Sequence, residues 1–569
     1  MKRALIGLAI LAAIVLTAIA GGSSDLLPSK IIGAGIDKRG GITYLLRDEF
    51  TSDLAAGSVN GTAAEPGPGT RVVTDTGSQL SLVSGNLAIA AGAAQPGLWL
   101  DSAARTAGKL LIQEWNNASG GLSQMGWAAN GTTVADNAWY LSVGTSVYSV
   151  ADTNYTVSHG VTLSGGTPYR LIIVQKTAGA YYLIKGGALA TTLLWSDPRG
   201  TGANLRPGWK SYANAAVLSS SYGRVPTATW LPTPLAYDTF TRANGALGST
   251  ETTGPDGQTT PALVWVFDSG IWTVAGNKAV GTPTIGGNEL YTDADSMFDS
   301  GTGIWAPYGA NTVANDAGTL KITYVDNANG ADGTVYNGHG LSAAPSAGLW
   351  YRYSFDAKVN AGSSVNVSVY DPSSGQYIGN VITGTSFATF TNTFRGSTSI
   401  GPYTPGMGAG EIVWLDNLSV RSLTTSTLFS SVVTSTADVL ASVNVTAASG
   451  YQAGLVLNLD SESNPQNFII AYVNSATGRV MLEQCVAGVY TVKINAVVTY
   501  SAGASLVVVR DGTACRVYYS NTMVGTQQTM AANVNTKHGL FSTNPSNTLD
   551  NVLFMARGTG GEYEALDSY

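Results

Sequence analysis

Charge is scarce in this sequence. Only 11% of its 569 residues are charged, where a typical soluble domain carries about 25%. The net charge is −7, and Lys and Arg form no run beyond isolated pairs. Nucleic-acid binding needs a basic face that displaces counterions from phosphates, so nucleic acid is not expected as a partner. Cysteine is nearly absent. Cys485 and Cys515 are the two in the chain, too few for a disulfide framework. Both fall in strand-like runs, and they make either one disulfide or two buried thiols, because sequence gives no Cα separation. His159, His339 and His538 are far apart and lack HExxH or Cys/His spacing, so no zinc site is expected. There is no GxSxG and no phosphate-binding loop. Glycoside hydrolysis needs two carboxylates about 5–9 Å apart, yet Asp460, Glu462, Glu562 and Glu564 are isolated or in loops. The sequence therefore does not read as an enzyme.

Gly, Ser, Thr, Asn and Ala take the place of charge, with 44% hydrophobic residues and 69 glycines. That mixture suits an all-β fold with many tight turns and a hydroxyl- and amide-rich surface. The apolar residues sit in short runs such as RLIIVQ (170–175), YYLIK (181–185), ASLVVVRD (504–511) and CRVYYS (515–520). Each run is β-branched or aromatic and bounded by turn residues, which is the strand–turn–strand signature. No amphipathic helix is evident beyond the N-terminus.

Residues 1–20 carry Lys2 and Arg3, then an apolar run from Ala4 to Ala20. Ala18-Ile19-Ala20 gives the small-x-small pattern before a signal-peptidase cut. A cleaved signal is favoured over an uncleaved anchor, which needs about 17–25 apolar residues, or a peg buried among partner subunits. Either way the chain is expected outside the cell, at the cell surface, or on a virion.

An internal repeat organises the rest. One copy opens at Asp48-Glu49-Phe50-Thr51 and the other at Asp238-Thr239-Phe240-Thr241. In each, a Gly-Ser step, a Pro/Gly-rich loop and a strand ending in Gly-Asn follow: LSLVSGN (80–86) and WTVAGN (272–277). The second copy is interrupted after Val280 and resumes near Leu423. ADVLASVNV (437–445) then answers AGKLLIQEW (107–115), and 505–521 answers 169–185. The expected organisation is a linker at 21–43, one sandwich at 44–230, a second split between 235–286 and 424–557, an insert at 287–423, and a tail at 558–569. Insertion at an exposed loop is tolerated because the chain leaves and returns at nearly one point. Pro226, Pro232 and Pro234 mark a stiff spacer between the copies.

On these residues the two copies resemble concanavalin A-like, laminin-G-type jelly-roll sandwiches. The insert looks like a carbohydrate-binding module of the galactose-binding-like jelly-roll type found beside xylanases and glucanases. Asn288-Glu289-Leu290, Tyr351 to Lys358 and Trp414 to Val420 carry that likeness. It departs from the pattern at Asp295-Ser296-Met297-Phe298. The whole is also similar to uncharacterised structural proteins of tailed phages and surface proteins of environmental bacteria. The implied fold class is all-β: tandem antiparallel jelly-roll sandwiches, the second interrupted by an inserted β-sandwich.

Strand alternation sorts the insert's side chains. In YRYSFDA, Tyr351, Tyr353 and Phe355 share a core face, while Arg352, Ser354 and Asp356 share the other. In VNVSVYD the valines are core, with Asn366, Ser368 and Tyr370 opposite. Aromatic rings stack on sugar rings, and polar side chains bond their hydroxyls. Trp305, Trp350, Arg352, Tyr370 and Tyr377 are the expected glycan-binding set, unless the tryptophans are core and the tyrosines merely exposed. The resemblance also implies a structural calcium, which takes about 6–8 oxygen ligands. Glu289, Asp293, Asp295 and Asp416 are the candidate donors; Asp416 and Asn417 equally suit a loop tied by side-chain-to-backbone bonds. No other cofactor is expected. The expected partner is a polysaccharide or cell-surface glycan. The alternative is a virion or filament subunit that associates with itself or with other surface proteins.

Overall fold

The computed structural model describes residues 44–568 apart from a series of internal segments, the longest being 326–344. Residues 1–43, including the N-terminal apolar run, lie outside the described residues. Among the described residues no helix is long and apolar enough to cross a membrane.

The fold is all-β, as the short apolar runs imply. It is built from antiparallel sheets of eight, seven, nine, seven, five and two strands. In the first repeat the larger sheet follows the spatial order Leu189–Asp197, Ala180–Gly186, Pro168–Gln175, Leu110–Asn116, Val217–Pro226, Asn86–Ile89, Leu80–Val83. In the second repeat it follows Thr522–Thr529, Ala514–Tyr519, Ala504–Asp511, Val439–Thr446, Thr548–Ala556, Ala279–Gly281, Trp272–Val274, with the short strand Gly245–Ala246 added beyond this edge. The two orders match position by position. Their smaller sheets match too. One runs Tyr155–Thr162, Val147–Asp152, Asn137–Val143, Ser123–Ala129, Leu205–Ser211, Gly97–Leu100, Arg71–Thr74. The other runs Val489–Val497, Arg479–Val486, Phe468–Asn474, Gln452–Leu459, Lys537–Ser542, Phe429–Val433, Val266–Phe267. The five- and two-stranded sheets are built from residues between Ala279–Gly281 and Phe429–Val433. They therefore interrupt the second sandwich where the first passes directly from Asn86–Ile89 to Gly97–Leu100.

The repeated Asp-x-Phe motif is a structural pin. Asp238 is buried and accepts hydrogen bonds from the Phe240 backbone N–H (2.8 Å), both Arg242 terminal nitrogens (2.8 and 2.9 Å) and the Trp265 indole N–H (2.7 Å). Asp48 likewise accepts from Phe50 N–H (3.0 Å) and twice from the buried Arg71 guanidinium (2.6 and 2.7 Å). Phe50 and Phe240 stand at φ 51° and 53°, a left-handed conformation uncommon for a bulky residue. The Asp side chain caps that turn and points the Phe ring into the core. The same motif thus recruits an arginine from a different place in each copy.

Several strands are buried at every position, without alternation. Gln452–Leu459 and Phe468–Asn474 are buried throughout, which requires cover on both faces. The stacking supplies it. One face of the smaller sheet of the second repeat shares a core with its larger sheet. The other face, with Phe468, Ile470, Tyr472, Met481 and Phe541, is covered by Trp350 of the insert. The outer face of the larger sheet packs on the first repeat, where Trp195 meets Tyr518 at 4.5 Å between ring centroids. Tyr563 and Leu566, from the segment read as a tail, are buried in that same junction.

The cysteines are not bridged. Cys515 points into the core between the sheets of the second repeat, while Cys485 belongs to the cluster beneath the insert. A disulfide is ruled out because the two side chains face different layers. Burial pushes the thiols up to about 12 and about 11 respectively, and a protonated, enclosed thiol is inert. Titration with a thiol reagent at pH 8 is expected to count no reactive cysteine in the folded chain and two after denaturation.

Candidate functional site

The insert packs its five-stranded sheet on a two-stranded sheet around an aromatic and valine core. In that sheet the strand Trp350–Val359, between the central Ile412–Ser422 and the edge strand Ala388–Arg395, alternates as expected from Tyr351 onward: Tyr351, Tyr353 and Phe355 are buried, while Arg352, Ser354, Asp356 and Lys358 face outward and are partly exposed. The smaller sheet contributes Val365, Val367, Val369 and Ile378 to the same core. Arg352 therefore lies on one outer face of the module, and Tyr370 and Tyr377 on the opposite one.

This splits the expected binding set. Trp305 is buried in the insert's own core beside Tyr291. Trp350 is fully buried between the insert and the second sandwich, its ring 5.6 Å from Tyr472 and 5.4 Å from Phe541. Neither tryptophan faces a ligand. Trp350 breaks the outward alternation because its strand begins where the module meets its host. Tyr370 and Tyr377 are 39% and 49% exposed. They sit directly opposite each other in the antiparallel pair Val365–Asp371 and Gln376–Ile382, with ring centroids 5.3 Å apart at 60°. Val381 extends this outward face.

The outer face of the larger sheet carries rungs of side chains between Trp350–Val359 and the central strand Ile412–Ser422: Arg352 with Arg421, Ser354 with Ser419, Asp356 with Asp416, Lys358 with Trp414. Trp414, which sequence reasoning did not select as a binding residue, donates its indole N–H to Asp316 (2.8 Å), and this bond holds that carboxyl below its usual range. Lys321 and Lys358 lie over the Trp414 ring at 5.5 and 5.1 Å. With its faces flanked by lysines, the ring is no open stacking platform. Phe387, 40% exposed, stands against Lys358 on this side.

Among the described residues the candidate calcium donors do not gather around one point. Among the described residues no group of three or more His, Cys, Asp and Glu side chains could hold a metal ion. Glu289 is consumed by the fold: it accepts from the backbone N–H of Leu290 (2.9 Å), Tyr291 (3.2 Å) and Val420 (2.7 Å) and from the Ser419 hydroxyl. Asp416 accepts the Asn417 N–H (2.8 Å) and holds Asn417 at φ 51° in a bulge. Burial raises its pKa, and Asp356 and Asp299 add to the rise. Asp550 and Asn551 repeat this device in the closing strand of the second sandwich, with a 2.7 Å bond and φ 51°. Asp293 begins a four-residue helix and is exposed; the side chain of Asp295 lies outside the described residues.

His538 is structural, buried in the second sandwich. Its Nδ1 accepts the Asn458 N–H (3.3 Å) and its Nε2 faces the Thr436 carbonyl (3.0 Å), which assigns the proton to Nε2. Burial lowers its pKa to about 4.

No family model matches the chain, and no curated protein matches it. Among solved structures, a carbohydrate-binding module, CBM66 from Bacillus subtilis, is 16% identical over 23% of this chain and 80% of its own, with a TM-score of 0.18. The tandem CBM22 modules of Xyn10C from Paenibacillus barcinonensis are 12% identical over 48% of this chain and 99% of theirs, with a TM-score of 0.19. Domains LG4-5 of the mouse laminin α1 chain are 8% identical over 79% of this chain and 81% of theirs, with a TM-score of 0.14.

Proposed function

We propose that the protein is a non-catalytic glycan-binding protein of a cell or particle surface, with the inserted module as its recognition element. The observation that carries this reading is the Tyr370–Tyr377 pair. Among the described side chains, the exposed aromatic rings are these two and Phe387, all on the insert. Elsewhere the rings are at least partly buried, as the hydrophobic effect demands. Two tilted rings side by side form a shallow, uncharged seat. The apolar face of a sugar ring stacks on one of them, and polar side chains beside it bond the sugar hydroxyls. A chain with so little charge suits a neutral polymer.

The test is a glycan array probed with the full chain and with a Tyr370→Ala/Tyr377→Ala double variant. Loss of both rings is expected to weaken binding about tenfold or more, a factor that corresponds to ~1.4 kcal/mol. Undiminished binding by the double variant would remove the site, and an array with no bound glycan would remove the function.

A further inference from the structure

The Arg352–Arg421 rung has no explanation in the fold. The two arginines are directly opposite across Trp350–Val359 and Ile412–Ser422, so their Cβ atoms are about 4.5–5.5 Å apart, and like charges so placed oppose strand pairing. Neither guanidinium is matched by an acid. Arg352 makes no hydrogen bond or ion pair with the described residues. Arg421 donates from Nε to the Gly287 carbonyl (3.0 Å) and makes no ion pair among the described residues.

The nearby carboxylates are engaged elsewhere. Glu289, beside the neighbouring Ser419, accepts from three backbone N–H groups and that hydroxyl and makes no ion pair among the described residues. Asp356 accepts from Thr389 (2.6 Å) and Asn417 (2.8 Å). The Asp356–Asp416 rung also lies four residues further along, about 13 Å at strand rise, which exceeds the ~8 Å Debye length at physiological salt. Arg395, on the edge strand Ala388–Arg395 that pairs with the other side of Trp350–Val359, is already paired with Glu483. Two partly exposed guanidinium forks remain, side by side at the margin where this face meets the second sandwich, and their terminal nitrogens make no hydrogen bond or ion pair with the described residues. That is the donor arrangement that grips an oxyanion.

We propose that the Arg352–Arg421 rung binds the acidic groups of an anionic polysaccharide, on the face opposite the tyrosine pair. This site is independent of the neutral seat, so the chain would grip charged and uncharged residues of a polymer on two sides of one module.

The experiment is affinity electrophoresis of the full chain in gels containing polygalacturonate, dextran sulfate or neutral dextran, at low and high salt. Retardation is expected in one or both acidic gels, weakening as salt rises, and the two gels separate carboxylate from sulfate recognition. Arg352→Gln/Arg421→Gln is expected to lose about tenfold or more of that affinity, while Tyr370→Ala/Tyr377→Ala keeps it. Because the substitution removes a like-charge pair, the Gln variant is expected to melt at or above the wild-type temperature. No retardation in either acidic gel, full retardation of the Gln variant, or its early melting would each overturn the proposal. Retention of anion binding by the tyrosine variant while array binding fails would dispose of the neutral site alone.

Discussion

Asp238→Ala lowers the stability of the second sandwich by about 3 kcal/mol, the cost of leaving buried donors without the acceptor they share. The substitution leaves the Arg242 guanidinium, the Trp265 indole N–H and the Phe240 backbone N–H without the carboxylate they share. It also frees Phe240 to leave its left-handed conformation, which the Asp side chain holds. Phe240 and Trp265 pack at 5.8 Å in the core, so the damage spreads from a polar pin to apolar packing. Asp48→Ala does the same in the first repeat by stranding Arg71, which is wholly buried. Denaturant unfolding followed by tryptophan fluorescence measures both. A change below about 1 kcal/mol in either variant would mean the motif is decoration and not a pin.

Two buried groups pull the pH profile in opposite directions. Glu483 lies beneath the insert, facing Arg395, Tyr472 and the nearby Asp371. Burial raises its pKa from 4.5 to about 7, and the attraction of Arg395 does not fully offset that cost. Desolvation works against the Arg395 charge as well, but the fields of Glu483, Tyr472, Tyr490 and Asp371 outweigh it and raise its pKa. Between pH 4.5 and 7 the folded state therefore binds a proton at Glu483 that the unfolded state has released, and stability falls as pH rises. His538 is lowered from 6.5 to about 4. Between those values the unfolded state holds the extra proton, so stability falls as pH drops. The two slopes nearly cancel from pH 4.5 to 6.5.

Single variants should expose each slope. Relative to wild type, Glu483→Gln should lose about 3 kcal/mol of stability on going from pH 6.5 to 4, and His538→Asn should gain about 3 kcal/mol from pH 7 to 4.5, because each tenfold change in proton affinity between the two states is worth ~1.36 kcal/mol. Parallel stability curves for wild type and either variant would show that the group titrates alike in both states.

The smaller features were unevenly legible. The alternation in Tyr351 to Lys358 was readable because a strand's side-chain period is two, whatever surrounds it. The fates of Trp305 and Trp350 were not, since a tryptophan serves equally in a core or a binding face and only its neighbours decide. The candidate calcium donors failed for a related reason. Composition marks Glu289 and Asp416 as acids, but their lone pairs are taken by backbone N–H groups that the fold brings to them. The arginine rung was invisible because Arg352 and Arg421 are 69 positions apart in sequence and meet through register alone.

By itself, the sequence determined the all-β class and its antiparallel sandwiches. Strand periodicity, turn residues and a recurring Asp-x-Phe motif are local properties, and local sterics and burial enforce them. The tertiary structure alone decided which faces remain open. Strands apolar on both sides demand cover from both sides. Stacking the first repeat, the second repeat and the insert meets that demand, buries Trp350 and the C-terminal Tyr563, and leaves the two outer faces of the insert as the exposed aromatic and cationic surfaces.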